Sequence, residues 1–278
     1  MHLILHTLID TLKIVPFLYL AFLIIEFIEH RLNNKNKKIL NKSKRFAPLL
    51  GGILGMIPQC GFSVLATNLY ATRIITIGTL ISVFLSTSDE MLMILLGGGI
   101  SFIRVLGIIS LKALIGIIFG FLIDLIIRDK NKSNINEICN EENCHCHNNL
   151  FLASFKHTLS ITLYILIATL LINLLMHHLE TETISKIFFQ GNIFSYFLSS
   201  LIGLIPNCAS SVMISELYIN EIISFGNMMS GLLTGSGVGI LVLFKTNKNI
   251  KQNILILFLI FIIGVFSGII IDLIGNLL

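Results

Sequence analysis

Two stretches decide the fold: Gly55-Met-Ile-Pro-Gln-Cys-Gly-Phe-Ser63 and Gly203-Leu-Ile-Pro-Asn-Cys-Ala-Ser-Ser211. They carry Gly, Ile, Pro, Cys and Ser at the same spacing, and the match continues downstream without a gap. The same offset pairs Leu69-Tyr70 with Leu217-Tyr218, Gly78 with Gly226, Ser88 with Ser236, and Asp124 with Asp272. The chain is therefore predicted to consist of two related halves.

The composition indicates a membrane protein. Of 278 residues, 55% are hydrophobic and only 12% are charged, whereas soluble domains are about 25% charged. A spanning helix needs roughly 20 apolar residues, and we expect the first such run to be retained because it lacks the features of a cleavable signal peptide. The runs that predict spanning helices are Leu3–Ile28, Ile74–Leu96, Ile100–Ile127, Leu159–Met176 and Ile254–Leu278.

The segment around Pro58 predicts a re-entrant hairpin. Phe46–Ile57 would rise only about 18 Å as a helix, which is too short to cross a bilayer. Pro58 and Gly61 interrupt it, and Phe62–Ala71 predicts a second short helix. The second half repeats the pattern around Pro206.

Loop charges predict that the halves have opposite orientations. The loop Arg31–Arg45 is strongly basic, whereas its counterpart His177–Gln190 carries Glu180 and Glu182. Basic loops stay in the cytoplasm, and opposite bias at equivalent positions is typical of an inverted repeat. We expect residues 1–127 and 157–278 to be the two membrane repeats and 128–156 a cytoplasmic linker. The predicted fold is all-α, with three spans and one hairpin per half, about ten membrane segments, and both termini outside.

The hairpin tips are the first candidate binding region. Non-helical backbone survives at membrane depth only inside protein or beside a water-filled cavity. Two tips that enter from opposite faces would meet near the midplane and present polar groups to a substrate. The tips supply Gln59, Cys60, Ser63, Asn207, Cys208, Ser210 and Ser211.

The second candidate region is Ser86-Thr87-Ser88-Asp89-Glu90, within a predicted span. Carboxylates at bilayer depth cost about 2.5–3.5 kcal/mol or more each and are normally functional. The matching stretch in the second half has glycines that predict a helix break but no acids, which favours a cation held asymmetrically. The candidate residues are Thr87, Ser88, Asp89, Glu90, Thr234 and Ser236.

Structural interpretations stay open for several of these residues. Cys60 and Cys208 could be small packing residues, and the two acids could lie at a span end. Asp124 and Asp272 are predicted to anchor helix ends rather than to bind a ligand. Lys112 and Arg104 are predicted either to pair with an acid or to extend to the membrane surface.

The linker holds a dense Cys/His cluster. Thiolate and imidazole suit zinc or another soft or borderline metal, but the spacing fits no standard zinc fold. A metal-collecting loop and a polar linker without metal both remain open, and no disulfide framework is predicted. The cluster consists of Cys139, Cys144, His145, Cys146 and His147.

At these motifs the sequence resembles the ten-span heavy-metal exporters, permeases related to the arsenic-efflux type, some of which are described as manganese transporters. The resemblance covers nearly the whole chain and implies a multi-pass exporter of a metal or metalloid in the bacterial inner membrane. It implies binding roles for Gln59, Cys60, Ser88, Asp89, Glu90, Asn207, Cys208 and Ser236.

The expected function is export of a divalent cation, with manganese favoured as the substrate and no cofactor required. Carboxylate and amide oxygens suit a hard cation, and the two tip thiols add a softer preference. The expected metal ligands are Cys60, Asp89, Glu90, Asn207 and Cys208. No P-loop occurs, so energy would come from an ion or proton gradient or a separate ATPase, with Asp89 or Glu90 a candidate proton carrier.

Other functions stay open. Arsenite or an organoarsenical would need the thiols, and an anion or small solute could bind at the helix N-termini of the hairpins. A metal sensor would depend on the linker, whereas no paired base and nucleophile supports an enzyme. A nucleic-acid partner is not predicted, the bilayer is, and homo-oligomerisation is left open.

Overall fold

The fold is taken from a computed structural model. It describes residues 46–57, 60–88, 91–127, 150–177 and 193–275, together with Val15, Pro16, Tyr19 and Leu23. This part of the chain is helical and contains no strand. The helices are α1 Ala47–Gly55, α2 Cys60–Ala71, α3 Ile77–Ser86, α4 Met91–Gly97, α5 Phe102–Ile126, α6 Leu150–His177, α7 Phe194–Gly203, α8 Cys208–Ile219, α9 Phe225–Thr234, α10 Gly239–Thr246 and α11 Ile250–Gly275.

Four stretches in the described residues are long and apolar enough to cross a membrane, namely Ile77–Gly97, Phe102–Ile126, Phe225–Thr246 and Ile250–Gly275. Shorter apolar helices include Phe194–Gly203 and Cys208–Ile219. The helical class and the polytopic character predicted from the sequence are confirmed. The first predicted span and the Cys/His linker cluster lie almost entirely outside the described residues.

The helix boundaries refine the prediction. Both hairpins are present as two short helices, but α2 and α8 begin at the tip cysteines rather than after them. The helix α6 begins at Leu150, inside the segment predicted as linker, because residues 150–156 contain neither Gly nor Pro to stop it.

The long helices α5 and α11 pack closely on α3 and α9 respectively. A Cβ at Gly78 of α3 would lie 2.2 Å from the Gly120 carbonyl oxygen of α5, and one at Gly226 of α9 would lie 2.3 Å from that of Gly268 in α11. Small residues at such crossings let backbones approach, which is how membrane helices gain packing energy. The opposite face of α11 is exposed and apolar, as expected for a lipid-facing surface, at Ile254, Phe258, Ile262, Phe266 and Ile270.

The N-termini of α3 and α9 are fixed by equivalent aspartates. Asp124 accepts hydrogen bonds from the Thr76 hydroxyl (2.6 Å) and the Gly78 amide (2.9 Å). Asp272 accepts one from the Gly226 amide (2.7 Å) and one from the Tyr196 hydroxyl (2.7 Å). A carboxylate at a helix N-terminus satisfies free amides and complements the helix dipole, so both aspartates are helix anchors, as predicted.

Candidate transport site

The hairpin tips are built by helix capping. Asn207 has extended backbone and accepts a hydrogen bond from the Ala209 amide (3.5 Å) as the N-cap of α8. Ser210 donates to the Asn207 carbonyl (2.8 Å) and Ser211 to the Cys208 carbonyl (2.8 Å). These hydroxyls keep free lone pairs, and Cys208 is half-buried in the first turn.

The first-half tip is described in part. Gln59 lies outside the described residues, and Cys60 opens α2. Ser63, one turn further along, is fully buried. The structure therefore places Ser63 in the protein interior, at the start of a helix that faces the other half.

The helix α2 packs alongside α10 of the second half. A Cβ at Gly239 would come within 3.0 Å of the Ser63 side chain, and the Thr67 hydroxyl donates to the Gly239 carbonyl (3.2 Å). Beyond the other end, Arg73 donates to Gln252 (3.2 Å). The end of α2 thus lies near the start of α11, which follows α10 in the chain, as expected if α2 and α10 run in the same direction. The tip of the first hairpin therefore lies next to the start of α10.

The reciprocal contact joins α8 to α4. A Cβ at Gly98, just after α4, would lie 2.5 Å from Ile219 at the end of α8. Met91 at the start of α4 shares a buried apolar cluster with Ile214 and Leu217 of α8. Each hairpin therefore packs its second arm on the second segment of the other half's broken span.

Both candidate spans are broken, the second at the glycines where the sequence predicted a break. The first breaks after Ser86, and the second breaks after Thr234, where Gly235 ends the helix. Phe84, in the last turn of α3, lies against Gly239 at the start of α10. The two breaks are thus close together in the centre of the protein.

The breaks are lined by buried hydroxyls. Thr87, Ser88, Thr234 and Ser236 are each at most 2% exposed. Thr87 donates to the Val83 carbonyl (2.7 Å) and Thr234 to the Ser200 carbonyl (2.9 Å). The Ser236 hydroxyl has no hydrogen-bond partner among the described residues. An unsatisfied buried hydroxyl is costly, so Ser236 stays a candidate binding residue.

The acids Asp89 and Glu90 lie outside the described residues, between Ser88 and the start of α4. A basic side chain contacts Thr87, which precedes Asp89 by two residues in the sequence. Lys112 of α5 is 1% exposed, and its ammonium donates to the Thr87 carbonyl. The alternative that Lys112 extends to the membrane surface is therefore wrong.

Polar residues that the sequence reasoning missed lie on the arms that cross between halves. Thr67, Asn68 and Ser215 are buried, and neither the Asn68 amide nitrogen nor the Ser215 hydroxyl has a partner in the described part of the chain. Thr67 and Ser215 occupy equivalent positions in the repeat. Two small hydroxyl residues at matched positions of apolar helices were the signal that could have identified them.

No group of three or more His, Cys, Asp or Glu side chains that could hold a metal occurs within the described ranges. Those ranges exclude both acids and the cluster Cys139 to His147. A separate apolar cavity of about 240 Å³ lies between α1, α2 and α3, lined by residues such as Leu54, Phe62 and Val83. Apart from Thr79 its lining is apolar, whereas the candidate residues lie at the breaks and hairpin tips.

Crossing helices, paired hairpins and buried polar breaks define a multi-pass membrane protein with the architecture of a transporter. The chain belongs to the ArsP_2 family, described as "Putative, 10TM heavy-metal exporter", which it matches over residues 1–193 and 158–277. Comparison with curated proteins and with solved structures gives no match.

Proposed function

We propose that this protein exports a heavy-metal cation across the bacterial inner membrane, with manganese or a similar divalent ion as the favoured substrate. The observation that carries the proposal is the packing of each hairpin's second arm on the second segment of the other half's broken span, in a chain of this exporter family. A substrate there would contact both halves at once, as alternating access requires.

The two breaks would supply different kinds of ligand, one charged and the other neutral. Asp89 and Glu90 supply negative charge at the first break, and Asn207 with Cys208 lies at the tip of the hairpin that packs against α4. The second break would supply neutral oxygen ligands through Thr234 and Ser236. Ser63 lies against Gly239, just after this break, and Gln59 and Cys60 precede Ser63 in the sequence. Carboxylate, amide and hydroxyl oxygens suit a hard divalent cation.

The test is metal tolerance and metal content in a metal-sensitive bacterium. Cells expressing the wild type are challenged with manganese, zinc, cobalt and arsenite, and cell-associated metal is measured by elemental analysis. We expect the wild type to lower one divalent metal, and Asp89→Asn or Glu90→Gln to abolish the effect. Glu216→Gln, at an exposed acid on α8, is the matched control and should behave as the wild type. Unchanged metal content in wild-type cells contradicts the proposal.

Arsenite or an organoarsenical is the second candidate, favoured by the placement of Cys208 in the first turn of α8. A thiol-dependent substrate makes Cys60→Ser and Cys208→Ser inactive while Asp89→Asn keeps activity, the reverse of the pattern for a hard cation. Loss of function only with Cys144→Ser and Cys146→Ser would instead point to a sensor that depends on the linker.

Inverted orientation of the two halves is part of the proposal. Arg73 and Glu221 stand at equivalent positions and both have left-handed backbone, with φ of 60° and 57°. An inverted repeat puts these two turns on opposite faces of the membrane. In a variant lacking the five natural cysteines, single cysteines at positions 73 and 221 should react with an impermeant thiol reagent from the cytoplasmic and outer sides respectively. Labelling from one side only contradicts the inversion.

A further inference from the structure

The first arms of the two hairpins, α1 and α7, are held against the bundle by different chemistry. The sequence of α1, Ala47–Gly55, contains no side chain with a hydrogen-bonding group. Ser82 of α3 donates to the Pro48 carbonyl of α1 (2.7 Å), so this bond depends on a backbone acceptor. The inner face of α1 is glycine, and a Cβ at Gly51 would lie 3.1 Å from the Val83 side chain. A face without projecting side chains has little to interlock with α3.

The equivalent arm α7 is rich in hydroxyls. Ser195 donates to the Asn227 side chain of α9 (3.0 Å), and the Ser200 and Ser230 hydroxyls are 2.6 Å apart. The Tyr196 hydroxyl reaches a carboxylate of α11 (2.7 Å). A shift of α7 along α9 would break these bonds between buried or half-buried groups, which is costly. The second hairpin arm is therefore fixed to its neighbours.

The apolar cavity of about 240 Å³ lies beside α1, between α1, α2 and α3. Ala66 of α2 and Val83 of α3 line it. Their counterparts in the second half are Ile214 and Gly231, and the Ile214 side chain would come within 2.5 Å of a Cβ at Gly231. Ile214 is fully buried. A larger side chain thus occupies in the second half the position that borders open space in the first.

The end of α1 reaches the contact between the halves. Met56, the residue after α1, packs against the buried cluster that contains Met91 of α4 and Ile214 of α8. Because α4 and α8 belong to different halves, a shift of α1 would change a contact at their junction. Packed helices can slide on one another by small amounts in a shear movement.

We propose that α1 is the moving arm of the two: it shifts on its glycine face into the space of the cavity during transport, while α7 stays bonded to α9 and α11. The inference rests on the proposed function, because the movement gates a transport site. Elements held by few buried polar contacts are the ones that move at low cost. The shift withdraws Met56 from the junction of α4 and α8, with the second hairpin as the fixed counterpart.

The first test locks each arm in turn. Ala47→Cys/Thr79→Cys allows α1 to be joined to α3, and Ser195→Cys/Asn227→Cys is the equivalent pair between α7 and α9. Both pairs are made in the otherwise natural chain and treated with a reducible bifunctional thiol reagent in proteoliposomes, with the divalent metal that the wild type moves. The four single variants, treated in the same way, correct for the natural cysteines.

The two crosslinks should differ in their effect on transport. We expect the α1–α3 crosslink to lower the transport rate about tenfold or more, with recovery on reduction, because a locked gate limits turnover. The α7–α9 crosslink replaces a bond that does not break, so the rate should stay within about twofold of the untreated protein. Equal inhibition by both crosslinks, or normal transport with α1 locked, overturns the proposal.

The second test fills the cavity with the side chain that the other half carries. Ala66→Ile should raise the thermal unfolding midpoint by about 2–4 °C, because it buries apolar surface without removing a bond. It should also lower kcat about tenfold, because α1 loses the space into which it moves. Ala66→Val fills less and should change both quantities less, and it decides the case in which Ala66→Ile does not fold. An unchanged kcat in the folded variant overturns the proposal, whatever the midpoint.

Crosslinking without transport separates this inference from the proposed function. Rigid thiol reagents of two lengths are compared on the same two pairs in detergent solution. A mobile α1 should be captured at positions 47 and 79 by the long reagent as well as the short one, whereas positions 195 and 227 should be bridged by the short one alone. A wild type that moves no divalent metal rejects the proposed function, and this capture pattern still supports a mobile α1. Bridging by the short reagent alone at both pairs overturns the moving arm and leaves cation export standing.

Discussion

The hydroxyl of Thr67 in the first half donates a hydrogen bond to the carbonyl oxygen of Gly239 in the second half, 3.2 Å away. The same hydroxyl donates to the Ser63 carbonyl of its own helix at 2.7 Å. Gly239 is the first residue of α10, directly after the second break. The contact therefore joins the hairpin arm α2 of one half to the broken span of the other.

Thr67→Val should therefore weaken the contact between the halves. The substitution keeps the shape of the side chain but leaves the Gly239 carbonyl without this donor, at a cost of about 1–3 kcal/mol. We expect a lower unfolding midpoint in detergent and a reduced transport rate. Thr169→Val is the matched control, because in the described part of the chain the Thr169 hydroxyl bonds to carbonyls of its own helix. Equal effects of the two substitutions would contradict the importance of the cross-half bond.

Ser236→Ala should weaken substrate binding without lowering the stability of the protein. The Ser236 hydroxyl is buried without a described partner, so its removal should leave stability unchanged or raise it by up to about 1 kcal/mol. If the hydroxyl binds the cation, KM should rise several-fold. Ser230→Ala is the control. The Ser230 hydroxyl donates to the Tyr196 carbonyl (3.0 Å), so its removal should lower the stability of the protein. A Ser236→Ala protein with normal KM excludes this hydroxyl from the site.

Gly78→Ala and Gly226→Ala should each disrupt the crossing of a broken span with its long helix. The added Cβ would lie 2.2 Å or 2.3 Å from a backbone oxygen, which forces the helices apart. We expect losses of about 1–3 kcal/mol, typical of overpacking, read as lower expression and a lower unfolding midpoint. Gly107→Ala, where nothing lies within 4 Å, should be neutral or stabilise the helix slightly. A neutral result at all three positions means that the crossings are looser than the structure indicates.

Glu221→Gly should stabilise the protein. Glu221 has left-handed backbone (φ 57°) and is exposed, and such a conformation costs a residue with a Cβ about 1 kcal/mol relative to glycine. Glu221→Ala is the control, because it removes the charge and keeps the strain. A rise in the unfolding midpoint for Glu221→Gly alone is the expected result, whereas equal rises for both would assign the effect to the carboxylate.

The sequence predicted those features that depend on local chemistry. Proline, and closely spaced glycines among polar residues, disfavour the helix interior, so the hairpin tip at Pro206 and the interruption at Gly235 could be located from the pattern alone. Asp272 was predicted as an anchor because an acid near a span end, repeated in both halves, suits a helix terminus.

The contacts between helices could not be predicted in the same way. In lipid the apolar faces of a helix are nearly equivalent by composition, so the pattern does not reveal that Thr67 meets Gly239. The same limit left two alternatives for Lys112, because the direction of a long side chain depends on which helix covers it. Burial against Thr87 is a property of the assembled bundle.

The reciprocal packing of α2 on α10 and of α8 on α4 makes the two halves mutually dependent. One hairpin arm of each half packs on a helix of the other half, as exchanged segments do in domain-swapped dimers. Cutting the chain between residues 128 and 149 should therefore give two fragments that do not fold when expressed alone. Co-expressed, they should assemble into the folded protein. By the same logic, an ancestor of half this length would have needed a second copy of itself to complete its fold.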